Sequence, residues 1–293
     1  FKFSLVSFKK LFSFSSKLLL ADLFDSVYRN MNNVLIGKYY GAESIGYYLR
    51  AKQLQDLPSI SITEITQKVT FPILSTIQND NERLAQTFKK IIGFTSFVVI
   101  GLMFLLMTIA KPLIIILLTK KWLPSVELFQ ILCFAGIWLP INFMSMNAIV
   151  VKGKTALFLK IDLTKKILSL IIVFFSVPFG VVTLAYSMVV IAVLSFFING
   201  YYTDQIIKYR FIDQIKDILP FLIIAYASSL ISRFLMDLAD YEPLQLFIGI
   251  IVFSSIFLFI SRKLNFSEFN ELVIIVKKVW HKIFEMINNV LSK

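Results

Sequence analysis

Apolar stretches of about 20 residues recur along the chain, separated by short segments that carry Gly, Pro and charge. A helix needs roughly 20 such residues to cross a bilayer, because each residue rises about 1.5 Å and the hydrocarbon core is about 30 Å thick. About eight spans are predicted. The first covers Leu18–Lys38, closed by turns at Gly37 and Gly41. The second runs from Ile45 to about Ile77, with kinks expected at Pro58 and Pro72. The third runs from about Ile91 to Ala110, and Lys111-Pro112 then leads into a shorter apolar piece ending at Thr119. The others cover about 126–151, 163–179, 181–201, 218–235 and 244–261. The tail from Phe266 to Leu291 has apolar residues at helical spacing, with Lys277, Lys278 and Lys282 on the other faces. That pattern suits an amphipathic helix lying on a membrane surface.

Composition excludes the alternatives to a membrane protein. With 57% hydrophobic and 16% charged residues among 293, the chain lacks the polar surface that a soluble domain of this length requires. The expected class is an all-α polytopic membrane protein. The net charge of +12 does not form a nucleic-acid patch, because the basic residues alternate with the spans. Of 30 Lys and Arg, 21 fall in one set of alternating segments that includes both ends. Five (Lys38, Lys111, Lys120, Lys121 and Arg233) fall in the opposite set, and Arg29, Arg50, Lys52 and Lys68 lie within the first two spans. Basic residues mark the cytoplasmic side, so both ends are predicted cytoplasmic in a multi-pass plasma-membrane protein. The opening residues show no signal-peptide pattern, and the chain is expected to be part of a longer protein.

Enzymatic constellations are mostly absent. Cys133 is the single cysteine and His281 the single histidine, the latter on the tail helix. No disulfide, His-based metal site, or Ser-His or Cys-His pair in a cavity is therefore expected. The ten glycines include no phosphate-binding cluster, and no loop between spans exceeds about 15 residues. Neither a cofactor nor a metal is expected, and the chain is read as a non-enzyme.

The first two spans break the apolar rule. Asp22, Asp25, Arg29, Asn32 and Asn33 follow three-four spacing, which stacks them on one face of a helix. A centrally placed charge facing lipid costs about 2.5–3.5 kcal/mol even on lenient insertion scales, so this face must meet protein or water. Lys52, Asp56, Ser59, Thr63, Thr66 and Thr70 repeat the spacing in the second span, with Gln53, Glu64 and Gln67 on the adjoining strip. The charges either pair as bridges between helices or line a water-filled cavity for a polar or anionic cargo. The lysines from Lys152 to Lys166 serve topology and snorkelling or draw a phosphorylated headgroup inward; Asp162 has Lys165 or Lys166 as its expected partner.

Several blocks resemble the C-terminal half of Wzx-type polysaccharide and O-antigen flippases of the MOP (MATE-like) exporter superfamily. They are FSFSSKLLLADLFDSVYRNMNNVLIGKYYGAESIGYYLRAKQLQDLP from Phe12 to Pro58, then VTFPILSTIQNDNERL, KKWLPSVELFQILCFAG and VKGKTALFLK. The resemblance implies a fourteen-helix fold, of which this chain carries the second six-helix lobe and two final helices. The units are then a lead-in at 1–11, the lobe at 12–210, the extra pair at 211–263 and the tail at 264–293.

It further implies an undecaprenyl-diphosphate-linked oligosaccharide as cargo, exposed alternately to the two sides as the lobes rock. The expected partners are that lipid-linked oligosaccharide, membrane lipids, the missing first lobe and a polysaccharide polymerase. The matching blocks put Asn30, Asn33 and Arg50 at cavity-side positions. Lys52 and Arg29 become further cationic partners of the diphosphate. Asp22, Asp25, Asp56 and Glu64, with Lys68, become charge partners or carriers of a coupling proton or sodium ion. A drug or lipid II exporter of the same superfamily stands as the alternative, and a membrane glycan polymerase or ligase as a second.

Overall fold

The computed structural model describes the backbone of residues 5–291 and the side chains of residues 30–278, together with those of Ser26, Trp280, His281 and Glu285. Among the described residues every regular element is helical: α1 Leu5–Thr76, α2 Asn81–Thr108, α3 Ala110–Leu118, α4 Ser125–Val151, α5 Thr155–Ser176, α6 Val181–Ile207, α7 Phe211–Met236, α8 Glu242–Lys263 and α9 Ser267–Leu291. Helices leave no backbone polar group facing hydrocarbon, which is why a bilayer selects them. Five of them, α2, α4, α6, α7 and α8, are long and apolar enough to cross a membrane. The other expected spans fall on α1 and α5; in α5 the charges, Lys160, Asp162, Lys165 and Lys166, all lie before residue 167.

Helix α1 is two legs. Gly41 has φ 81° and ψ 176°, a non-helical conformation that breaks the run as expected, whereas Gly37 remains helical. The second leg continues through Pro58 and Pro72, so neither proline ends it. A straight helix would place Asn33 and Ser61 roughly 42 Å apart. In the structure both line one cleft, so the legs fold back beside each other at Gly41. Close by, a Cβ on Gly37 would stand 3.2 Å from Ile45 Cδ1.

Helix α4 is the centre of the bundle and packs against α1, α2 and α6. Phe129, Ile131, Leu132, Ile137 and Trp138, which do not share one face, are all buried, as expected of a helix surrounded by others. Gly136 permits the closest approach. A Cβ there would stand 2.3 Å from Gln55 Nε2 and 2.7 Å from Ser59 Oγ on the second leg. Helix α2 begins at Asp80, whose carboxylate accepts from the Arg83 backbone N–H at 3.0 Å and so caps the helix.

Helices α7 and α8 pack on each other and on α2 through an aromatic cluster of Phe97, Phe221, Phe253 and Phe257. Polar contacts fix α7 to α2 at two levels. At one, Lys89 Nζ lies 3.1 Å from Asp217 Oδ2, and Tyr209 donates its hydroxyl to the same carboxylate. Burial, then the Asp217 hydrogen bond, push the Tyr209 phenol well above its ordinary value. At the other, Arg233 Nη2 donates to the Met107 carbonyl at 2.9 Å and Thr108 Oγ1 to Ser229 Oγ at 2.8 Å. Helix α9 starts against α2 and α8. Farther along it, Val276 and Trp280 are exposed.

The positive φ at Gly41, combined with ψ near 180°, is essentially reserved for glycine, and forcing a side chain there costs about 1–3 kcal/mol. Gly41→Ala is expected to lower the thermal unfolding midpoint of the detergent-purified protein. Gly46→Ala, at a helical glycine with open space around its Cβ position, is expected to leave it unchanged or raise it. Equal losses from the two substitutions would count against the turn.

Candidate functional site: a polar cleft between the legs of α1

The fold-back at Gly41 builds a cleft of about 360 Å³, near the lower end of small-molecule pockets. Asn33 comes from the first leg, and Leu49, Lys52, Gln53, Asp56, Leu57, Ile60 and Ser61 from the second. Counted along the helices, Asn33, Lys52 and Asp56 lie roughly 12–22 Å from the turn. The four-residue step from Lys52 to Asp56 stacks them on one face, where Lys52 Nζ and Asp56 Oδ2 form an ion pair at 2.9 Å. Both are about one-third exposed. The pair spares each charge an unpartnered position among apolar neighbours.

The other expected residues distribute around this cleft. Asn33 Nδ2 donates to Asn30 Oδ1 at 3.2 Å, and Asn30 Nδ2 to the Ser26 carbonyl at 2.9 Å. Asn32, buried behind them, donates to Met188 Sδ on α6. Arg50 is exposed, lies outside the cleft and is centred 5.6 Å from the Trp122 ring. It is joined to the cleft by one bond, from Arg50 Nη1 to Gln53 Oε1 at 2.9 Å. Glu64 and Lys68 pair with each other at 3.8 Å, well exposed and on the same leg. Asp22, Asp25 and Arg29 have side chains outside the described residues.

The polar stripe expected along the second leg divides. Lys52 and Asp56 face the cleft, but Ser59, Thr63 and Thr70 are buried in the bundle. Thr63 Oγ1 bonds the Ser59 carbonyl one turn earlier at 2.7 Å, so its hydroxyl needs no water. Ser59 Oγ accepts from Gln55 Nε2 at 2.5 Å and contacts Met103 Sδ on α2 at 3.8 Å. Ser61 was not singled out from the sequence, since its position falls off the spacing.

A second polar group, invisible to local spacing, joins three helices. Asn199 Nδ2 donates to Asn142 Oδ1 at 2.8 Å, and Lys165 Nζ donates to Asn199 Oδ1 at 3.2 Å. Asp162 pairs with Lys166 at 2.8 Å, one of its two expected partners. No group of three metal-ligating side chains occurs among the described residues.

These features define a multi-pass helical membrane protein with a polar cleft between the two legs of one helix. Its fold is that of the lipid II flippase MurJ in an inward closed conformation. The match has a TM-score of 0.61 at 20% identity, over 90% of this chain and 57% of MurJ. Residues 1–127, which contain the cleft, match the model of a polysaccharide biosynthesis protein family. The teichuronic acid biosynthesis protein TuaB of Bacillus subtilis is 27% identical over 227 residues, covering 77% of this chain and 47% of TuaB. The lipopolysaccharide biosynthesis protein WzxC of Escherichia coli is 22% identical over 166 residues, covering 57% and 34% respectively. The resemblance to Wzx-type flippases of the MOP superfamily is borne out, and the chain spans half or less of these two relatives' length.

The two ion pairs of the second leg are expected to differ in weight. Exposed pairs at one-turn spacing contribute little, so Glu64→Gln and Lys68→Gln should each change stability by less than about 0.5 kcal/mol. Lys52→Met leaves the Asp56 carboxylate without its partner and should cost clearly more. Thermal unfolding in detergent measures both, and equal effects would contradict the contrast.

Proposed function

We propose that the whole protein moves undecaprenyl-diphosphate-linked oligosaccharide repeat units from the inner to the outer leaflet by alternating access, with this chain supplying the C-terminal part. The observation that carries the reading is the Asn33–Lys52–Gln53–Asp56 cleft, set in a bundle that contains five helices long and apolar enough to cross a membrane. Intramembrane ionisable residues on a cavity are the usual mark of a substrate path. The relatives named for teichuronic acid and lipopolysaccharide biosynthesis support a glycan cargo. The likeness to MurJ concerns the fold and does not favour lipid II over a polysaccharide unit.

In this reading the exposed face of the second leg, with Leu57, Ile65 and Val69, meets a first lobe that completes the cavity. Both ends lie in the cytoplasm, and α9 rests on the inner membrane surface. Arg29 and Arg50 offer guanidinium groups to the diphosphate, and Asp22 and Asp25 hold them when cargo is absent or carry a coupling ion. Outward movement of an anion across an inside-negative membrane is favoured by about 2.3 kcal/mol per charge per 100 mV. A polymerase would take up the exported unit.

Deleting the gene is expected to leave lipid-linked repeat units on the inner leaflet and to abolish surface polymer. Units accumulating unpolymerised on the outer leaflet would instead mark the protein as a polymerase or ligase and reject the transport reading.

A further inference from the structure

Among the described residues, the lining of the cleft between the legs of α1 carries no net charge. Lys52 is matched by Asp56 at 2.9 Å, and among the described residues the only other charged group joined to the lining is Arg50, which lies outside. A site for a diphosphate concentrates positive charge and hydrogen-bond donors, because phosphate oxygens only accept. This cleft offers both donors and acceptors.

The hydrogen bonds already made determine which atoms remain. Gln53 Oε1 is taken by Arg50, so the Gln53 amide offers its NH2. Asn33 Nδ2 spends one N–H on Asn30, which leaves its other N–H and Oδ1. Asp56 gives Oδ2 to Lys52 and keeps Oδ1, while Lys52 keeps N–H groups beyond the ion pair. Ser61 Oγ donates to the Leu57 carbonyl at 2.7 Å and keeps its lone pairs. Asn33 Oδ1, Asp56 Oδ1 and Ser61 Oγ are thus acceptors, and a diphosphate would find them repulsive. A hydroxyl both donates and accepts, so a group dense in hydroxyls satisfies both sets. Leu49, Leu57 and Ile60 supply an apolar wall for the C–H face of a ring.

We propose that this cleft recognises a sugar ring of the cargo rather than its diphosphate. The inference rests on the transport reading above and deepens it. Arg50 is exposed, has no ion pair with a carboxylate among the described residues, and is bonded to Gln53 on the cleft wall. It is therefore placed for an anionic group beside the bound ring. The cleft thereby makes the protein selective for glycan, and the diphosphate is held next to the cleft.

The test measures binding of two probes to the whole purified protein: undecaprenyl diphosphate without sugar, and the lipid-linked oligosaccharide extracted from the producing cells. Asp56→Asn keeps shape, removes one negative charge and converts a strong acceptor into a weaker one. The expected result is about tenfold or more weaker binding of the sugar-bearing lipid, with sugar-free lipid bound as before or more tightly. Asn33→Ala, which leaves the ion pair intact, should show the same selective loss. Tighter binding of both lipids by Asp56→Asn, as added positive charge would give at a diphosphate site, overturns the inference. Equal losses for both lipids in either variant also overturn it. If the unsubstituted protein binds neither lipid, the transport reading itself fails and the inference with it.

Discussion

A membrane helix bearing charge must bring that charge to a partner without exposing backbone to hydrocarbon. In α1 Lys52 meets Asp56 one turn away on the same leg, and the turn at Gly41 lays the first leg beside that pair. At φ 81° and ψ 176° one residue reverses a run that would otherwise continue as a helix of 72 residues. The reversal sets Asn33 beside Lys52, Gln53 and Asp56. The Lys52–Asp56 pair then allows two charges to lie there without a net field. Helix α4 holds the second leg in place, since Gly136 lets Gln55 and Ser59 pack against its backbone. The cleft is thus a consequence of one backbone conformation, one ion pair and one close approach.

The sequence carried much of this architecture. Apolar runs bounded by Gly, Pro and charge located the spans on α2, α4, α6, α7 and α8, because lipid imposes the same length and composition on each. Gly41 was legible as a break, since a glycine between two helical patterns marks a turn. The spacing of Lys52 and Asp56 predicted a shared face, and the structure pairs them across it.

What remained hidden was which polar residues face the cleft. Ser59, Thr63 and Thr70 continue the three-four pattern of Lys52 and Asp56, yet they pack inside the bundle. A small hydroxyl can bond its own helix and then behave as a small apolar residue, so periodicity alone cannot separate it from a cavity-lining group. The Asn142–Asn199–Lys165 group was hidden for a different reason. Its members lie on three helices, α4, α6 and α5, and only tertiary packing brings them together. Arg50 matched a cavity-side block, and the structure sets it outside the cleft, linked to it through Gln53.

The cleft exists only if α1 folds back on itself at Gly41. Spin labels on Asn33→Cys and Leu57→Cys, introduced together into the protein in lipid bilayers, test it most directly, with the native thiol of Cys133 buried away from reagent. Folded-back legs packed 8–10 Å apart predict a label separation of about 10–20 Å. An unbroken helix between the two positions would give roughly 36 Å. Finding the longer distance would contradict the turn at Gly41 and the cleft that depends on it.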